Sequence, residues 1–193
     1  MGLISFFKKK RIVPSLEEQR MAAKRSVDTF IHILYNSFDN NNISVNYKTT
    51  LFPIAGITYY CDKTDIGMIR GVTFIDKNNA KDKTAIGIMA IADNSGQKLL
   101  GYIPKDQKKE YREFAGDEDM IPFIGYISTF EKEDCSIGLL GRIKLFNGDD
   151  CKAMYDEMIA DTELLSGAFK GYWGEQTLEQ QGLKLDWVLN RHF

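Results

Sequence analysis

The chain has 193 residues, of which 44% are hydrophobic and 27% charged, and its net charge at pH 7 is −2. This composition is typical of a soluble globular protein with one ordinary domain and room for helical additions. No segment approaches the ~20 apolar residues that span a bilayer, and the basic start lacks the arrangement of a secretory signal. The sequence therefore predicts no membrane association.

Charge is distributed unevenly along the chain. Residues 1–52 contain 8 basic and 4 acidic side chains, residues 53–115 contain 10 and 8, and residues 116–193 contain 7 and 15. Non-specific affinity for nucleic acid comes from many cations that neutralise phosphates, so this balance excludes a general polyanion binder. Any nucleic-acid binding has to be local, at the basic positions of the middle segment.

Cysteine and histidine are too few and too far apart to form a metal site. The three cysteines are Cys61, Cys135 and Cys151, and the two histidines are His32 and His192. No pairing of these positions has the spacing of a zinc site or of a disulfide framework. We therefore expect a protein of the reducing cytoplasm, with no metal and no cofactor.

The N-terminal part of the chain predicts a tail followed by a helix. Residues 1–14 have the composition of a basic flexible tail, and residues 15–52 are interpreted as an N-terminal helix and its connection. The segment SLEE at 15–18 is a capping box, which marks the start of a helix. Apolar residues then recur at intervals of three and four, which predicts an amphipathic helix from 16 to 38.

The rest of the chain is rich in strand patterns. Alternating and β-branched runs bounded by turn residues predict six strands, at 52–60, 68–75, 84–92, 99–103, 120–130 and 137–146. A short helix is predicted at 107–114, and two C-terminal helices are predicted at 151–165 and 175–189. The fold class is therefore predicted to be mainly β with flanking helices, an α+β protein.

Two adjacent tyrosines end the first predicted strand. Successive side chains of a strand point to opposite faces, so either Tyr59 or Tyr60 is expected to face outward. Exposed aromatic rings are stacking platforms in single-strand binders, worth ~1–3 kcal/mol per base. The alternative is a pair of half-buried tyrosines whose hydroxyls reach water.

A polar loop interrupts the strand pattern between the second and third predicted strands. It contains Asn79, Lys81, Asp82 and Lys83. Polar loops held by rigid strands are frequent places for binding sites. An ordinary solvated loop with Asx turns is the alternative interpretation.

Four blocks of the sequence resemble the HIRAN domain family. NNAKDKTAI at 78–86 followed by LGYIP at 100–104 is similar to the family signature, and AGITYY at 55–60 and RIKLF at 142–146 resemble its opening and closing strands. The likeness covers about residues 53–159. It implies a small OB-like β-barrel that binds nucleic acid, best known for holding the free 3′-hydroxyl end of single-stranded DNA. The domain would then be 53–160, with 161–193 as a C-terminal helical extension.

The same resemblance implies roles for individual residues. Asp82 matches the family's aspartate that accepts a hydrogen bond from the terminal hydroxyl, and Asn79 matches an amide position beside it. Lys105, which directly follows the LGYIP block that contains Tyr102, matches a basic position that contacts phosphate.

The chain departs from the family pattern immediately before the aspartate. Many members have proline and an aromatic residue where this chain has Ala80 and Lys81. A cation would therefore serve at this point by phosphate contact, and Lys83 is a further candidate for that role.

Catalytic motifs are missing from the sequence. It contains no Gly-x-x-x-x-Gly-Lys-[Ser/Thr] phosphate loop and no Gly-x-Ser-x-Gly nucleophile elbow. We therefore expect a non-catalytic module that recognises single-stranded DNA through Tyr59, Tyr60, Asn79, Lys81, Asp82, Lys83, Tyr102 and Lys105. The alternative is a protein-interaction or oligomerisation module, whose terminal helices hold a partner or a second copy.

Overall fold

The computed structural model describes residues 15–21, 51–91, 96–132, 134 and 136–147. Residues 16–21 are helical (α1), and the capping box predicted at their start is present. The Ser15 amide donates to Glu18 Oε2 at 2.7 Å, and the Glu18 amide donates to Ser15 Oγ at 3.2 Å. The predicted remainder of this helix, residues 22–38, lies outside the described residues.

The remaining described elements follow in chain order from Leu51. The strands are β1 (Leu51–Pro53), β2 (Gly67–Ile75), β3 (Ile86–Ile91), β4 (Gln97–Tyr102), β5 (Met120–Glu131) and β6 (Ile137–Leu145). The helices are α2 (Ile57–Tyr60) and α3 (Lys108–Ala115), and 3-10 turns span Lys63–Asp65 and Lys105–Gln107. The prediction of a mainly β protein of the α+β class is confirmed for this part of the chain.

The six strands form one antiparallel sheet in the order β1-β6-β5-β2-β3-β4. β2, β3 and β4 follow one another as a meander, and α3 then leads to β5, which pairs with the other edge of β2. This arrangement brings the β2–β3 loop close to the start of β5, because Phe74 pairs with Met120.

One isolated bridge links the two ends of this sheet order. The Ala55 amide donates to the Tyr102 carbonyl at 2.8 Å, and the Tyr102 amide donates to the Ala55 carbonyl at 3.0 Å. The Ile54 amide donates to the Gly141 carbonyl in β6 at 3.0 Å. The segment that follows β1 therefore touches both β6 and β4.

The hydrophobic core lies on one face of the sheet. Alternate residues of β3, β5 and β6 contribute to it, as the strand period requires. Its members that are fully inaccessible to solvent include Phe52, Ile86, Ile88, Leu100, Phe123, Ile127, Ile143 and Leu145. α3 contributes Tyr111, whose hydroxyl lies 2.7 Å from the hydroxyl of buried Thr73 in β2. The helix is thereby fixed against the strand that precedes the polar loop.

The predicted strand at 52–60 is wrong beyond Pro53. Gly56 has φ 74° and ψ 9°, a left-handed conformation that glycine adopts without a steric penalty, and it turns the chain out of the extended path. The Tyr59 amide then donates to the Gly56 carbonyl, and the Cys61 amide donates to the Ile57 carbonyl, both at 2.9 Å. Tyr59 and Tyr60 therefore lie on a helical turn, and the expectation that they face opposite sides of a strand does not apply.

Several expectations fall on parts of the chain that are not described. The tail at 1–14, the helices at 151–165 and 175–189, and the extension at 161–193 lie outside the described residues. Within the described ranges, no helix has both the length and the apolar character needed to cross a bilayer.

Candidate functional site

The loop between β2 and β3, residues 76–85, is closed by its own backbone. The Asp76 amide donates to the Ala85 carbonyl at 2.9 Å, and the Ala85 amide donates to the Asp82 carbonyl at 3.0 Å. The Asn79 amide donates to the Asp76 carbonyl at 3.2 Å. Polar residues at 76–79 and 82–84 favour such turns, and the result is a defined backbone on which side chains are held.

Asn79 orders the second half of this loop. Its Oδ1 atom accepts hydrogen bonds from the Lys81 amide at 3.0 Å and from the Asp82 amide at 3.1 Å. This is an Asx turn, in which a side-chain oxygen replaces a backbone partner. The oxygen of Asn79 therefore positions Asp82, so a contact with a ligand would use its amide nitrogen.

The Asp82 carboxylate lies at the centre of a charged cluster. Its Oδ1 atom accepts from the Thr84 amide at 3.0 Å and from the Thr84 hydroxyl at 2.7 Å. Its Oδ2 atom forms an ion pair with the ammonium group of Lys108, the first residue of α3. The Lys108 ammonium also donates to the Thr84 hydroxyl, at 3.2 Å. The loop and the helix are thus joined through one carboxylate.

These bonds stabilise the ionised form of Asp82. The Lys108 ammonium is the largest influence, followed by the Thr84 hydroxyl and amide, and together they lower the pKa of Asp82 to about 2. The carboxylate is consequently a permanent acceptor at neutral pH. It remains accessible, since 35% of the Asp82 side chain is exposed.

Tyrosines adjoin the same loop. The Tyr102 hydroxyl donates to Asp76 Oδ2 at 2.9 Å, and Asp76 Oδ1 accepts from the Asn78 amide at 3.1 Å. The rings of Tyr60 and Tyr102 meet edge to face, with centroids 5.9 Å apart. Partial burial, followed by the bond to Asp76, raises the pKa of Tyr102 to about 12. Tyr102 therefore connects α2 to the loop as a neutral hydrogen-bond donor.

The tyrosines of α2 present aromatic surface to solvent. Tyr59 is 88% exposed and Tyr60 is 39% exposed. These rings leave a large apolar surface accessible to solvent. Tyr60 has one ring edge fixed by Tyr102, whereas Tyr59 projects further into solvent.

The predicted lysines surround this region with accessible cations. Lys81 and Lys83 are exposed in the loop, and Lys105 is exposed in the 3-10 turn that precedes α3. The Lys83 ammonium donates to the Lys77 carbonyl at 3.3 Å, and that bond holds it along the loop.

The structure thus brings together some of the predicted residues by direct contact and leaves others apart. Tyr60 contacts Tyr102, and Asn79 contacts Asp82, whereas Tyr59, Lys81 and Lys105 contribute as exposed side chains of the same elements. Three residues that bond to the predicted ones were not themselves predicted from the sequence: Asp76, Thr84 and Lys108. The available signal for Lys108 was a cation at a helix N-terminus, where the helix dipole disfavours it. Lys109 has the same signal, so the sequence could not choose between them.

A separate concave region lies beside α2. It encloses about 460 Å³ and is lined by Thr58, Cys61, Asp62, Lys63, Thr64 and Leu139. The Cys61 thiol is buried, which raises its pKa to about 12, so this cysteine is not a nucleophile at neutral pH. In the described ranges, no three or more His, Cys, Asp or Glu side chains are grouped as metal ligands would be.

Comparison of the chain with models of protein families, with curated proteins and with solved structures finds no match.

Proposed function

We propose that this protein is a non-catalytic module that binds single-stranded DNA and recognises its free 3′-hydroxyl end. The observation that carries the proposal is the Asp82 carboxylate, which is ionised, accessible and held in place in a loop that carries exposed lysines and bonds to Tyr102. A free 3′ end differs from an internal nucleotide by a hydroxyl that can donate a hydrogen bond. A fixed carboxylate is a strong acceptor for that donor, because charge-assisted hydrogen bonds are the stronger ones.

The proposal includes an OB-like barrel of the HIRAN type. Its support is the strand connectivity: a meander of β2, β3 and β4, then α3, then β5 beside β2 and β6 beside β5. The bridge between Ala55 and Tyr102 brings the ends of this order together. OB folds bind single strands on one sheet face and through the loop after their first meander strand, which corresponds here to residues 76–85.

The aromatic and basic residues extend the proposed site beyond the terminal hydroxyl. Bases stack on accessible aromatic rings in a sequence-tolerant manner. Tyr59 and Tyr60 are exposed rings of α2, and Tyr60 contacts Tyr102. Lys81, Lys83 and Lys105 would contact the phosphates that precede the end. The sequence has three widely spaced cysteines, which do not suit a disulfide framework, and this supports placing the module in the cytoplasm.

The test is a titration with short fluorescent single strands that end in 3′-hydroxyl or in 3′-phosphate. We expect the hydroxyl strand to bind more tightly, because a terminal phosphate is repelled by the Asp82 carboxylate. Asp82→Asn keeps an oxygen for the Thr84 bonds but loses the charge. It should weaken binding of the hydroxyl strand by about ten- to a hundredfold, as expected for losing a hydrogen bond to a charged acceptor.

Asp106→Asn is the matched control, since Asp106 is an exposed aspartate in the neighbouring 3-10 turn. It removes the same charge and should leave the preference for the hydroxyl strand intact. Equal affinity for both ends would leave a general single-strand binder. If neither strand binds at low salt, the protein-interaction module becomes the better hypothesis.

A further inference from the structure

We propose that Lys108 recognises the terminal hydroxyl together with Asp82: the Lys108 ammonium donates a hydrogen bond to the hydroxyl oxygen, and the Asp82 carboxylate accepts a hydrogen bond from the hydroxyl. This inference rests on the proposed function and adds a residue that the family likeness does not supply. The terminal hydroxyl is then recognised both as a hydrogen-bond donor and as a hydrogen-bond acceptor.

The acceptor capacity of Asp82 is the first step. An ionised carboxylate offers about four lone-pair directions. Oδ1 accepts from the amide and from the hydroxyl of Thr84, so it is saturated. Oδ2 accepts from the Lys108 ammonium, which leaves it one free direction in the part of the chain that the structure describes. A ligand donor must therefore approach Oδ2, the oxygen that Lys108 contacts.

The donor capacity of Lys108 is the second step. An ammonium group has three N–H donors. Two of them reach Asp82 Oδ2 and the Thr84 hydroxyl, and among the described residues no acceptor is found for the third. The free acceptor direction and the free donor thus belong to two atoms in contact. A hydroxyl that approaches Oδ2 can donate a hydrogen bond to Asp82 and accept one from the third N–H of Lys108.

The setting of Lys108 is the third step. Its side chain is 18% exposed, whereas that of Lys109, the next residue, is 89% exposed and pairs loosely with Glu113 at 3.7 Å. Lys108 is the first residue of α3, the end of a helix that disfavours a cation. Its ammonium is therefore held by Asp82 and Thr84, at a fixed place beside the free lone pair.

The experiment uses the full chain and three strands that differ only at the 3′ carbon, which carries hydroxyl, hydrogen or fluorine. Hydrogen removes the donor and the acceptor, and fluorine removes the donor while remaining a weak acceptor. For the unmodified protein we expect the hydroxyl strand to bind at least about a hundredfold more tightly than the hydrogen strand, about tenfold for each of the two hydrogen bonds. Lys108→Met should reduce this ratio by about tenfold, because Asp82 stays ionised at pH 7 but the second hydrogen bond is lost.

Lys109→Met is the matched control and should leave the ratio unchanged. Lys108→Arg retains a charge and N–H donors and should keep part of the ratio. This variant can be measured even if Lys108→Met does not fold. A ratio that stays intact in Lys108→Met overturns the inference, and so does an equal loss of affinity for all three strands, which would indicate a phosphate contact. If the unmodified protein binds none of the strands, or binds all three equally, the proposed function itself fails.

Discussion

At the scale of single residues, the Asp82–Lys108 ion pair joins the β2–β3 loop to a helix that is distant in the sequence. Asn79 and Thr84 hold the carboxylate from within the loop, and Lys108 holds it from a helix that lies 26 residues further along the chain. Each partner alone is an ordinary interaction. Together they leave one carboxylate oxygen with an open acceptor direction, which is the chemical basis of the proposed recognition.

The pKa of Asp82 provides a test of this cluster without any ligand. The folded value of about 2 is lower than the ~3.9 of an unperturbed aspartate. The cluster therefore stabilises the fold above about pH 4, and this contribution is lost as the pH falls from about 4 towards 2. Since the Lys108 ammonium is the largest cause, Lys108→Met should raise the pKa of Asp82 towards its ordinary value, as measured by a ¹³C NMR titration of the carboxyl carbon.

Lys109→Met provides the comparison for that titration, because it removes a neighbouring charge that is exposed and directed elsewhere. An Asp82 midpoint that is the same in Lys108→Met and Lys109→Met would contradict the ion pair.

At the scale of elements, the passage of the chain from β1 to α2 shapes the site. The segment around Ala55 crosses close to β4, and this crossing places Tyr60 against Tyr102. The close approach depends on Gly101, which has φ +147°. A Cβ atom there would collide with the Ala55 carbonyl oxygen and lie 2.7 Å from Ile54 Cγ2.

Gly101→Ala should therefore destabilise the protein, by about 1–3 kcal/mol from the backbone conformation alone and further from the collision. Gly116→Ala is the control, because Gly116 also has a positive φ, +59°, but a Cβ atom there meets nothing within 4 Å. Urea unfolding midpoints should fall more in Gly101→Ala than in Gly116→Ala. Equal midpoints would show that the β1–α2 segment yields without cost.

At the scale of the whole molecule, the charge distribution limits how nucleic acid can be bound. The net charge is −2, and the last segment, 116–193, has 7 basic against 15 acidic side chains. Among the described residues, the proposed phosphate contacts come from exposed lysines in the β2–β3 loop and in the 3-10 turn before α3. Binding of a single strand should consequently depend on salt only moderately.

With about three phosphate contacts, from Lys81, Lys83 and Lys105, the logarithm of the association constant should fall with the logarithm of salt concentration with a slope of about −2. Lys105→Ala should make this slope shallower by about 0.7, one contact, in anisotropy titrations across a range of salt concentrations. Lys132→Ala is the control. Lys132 is exposed and follows the last residue of β5, whereas the β2–β3 loop lies near the first residue of that strand. An unchanged slope in Lys105→Ala, or an equal change in Lys132→Ala, would argue against the proposed phosphate path.

What the sequence by itself determined are the features with a local cause. Strand alternation gave the positions of β2 to β6 to within a few residues, and the capping box marked the start of α1. Turn-forming residues marked the polar loop. The turn at α2 was missed because the apolar pattern of 52–60 resembles a strand, and the left-handed conformation of Gly56 overrides it.

Only the tertiary structure decided which distant side chains meet. The order of the strands places α3 beside the loop, so Lys108, and not Lys109, reaches Asp82. The crossing at Ala55 likewise brings Tyr60 to Tyr102. The physical reason is that periodicity and turn chemistry act between neighbours in the chain, whereas such contacts depend on how the strands pair and on where each helix packs against the sheet.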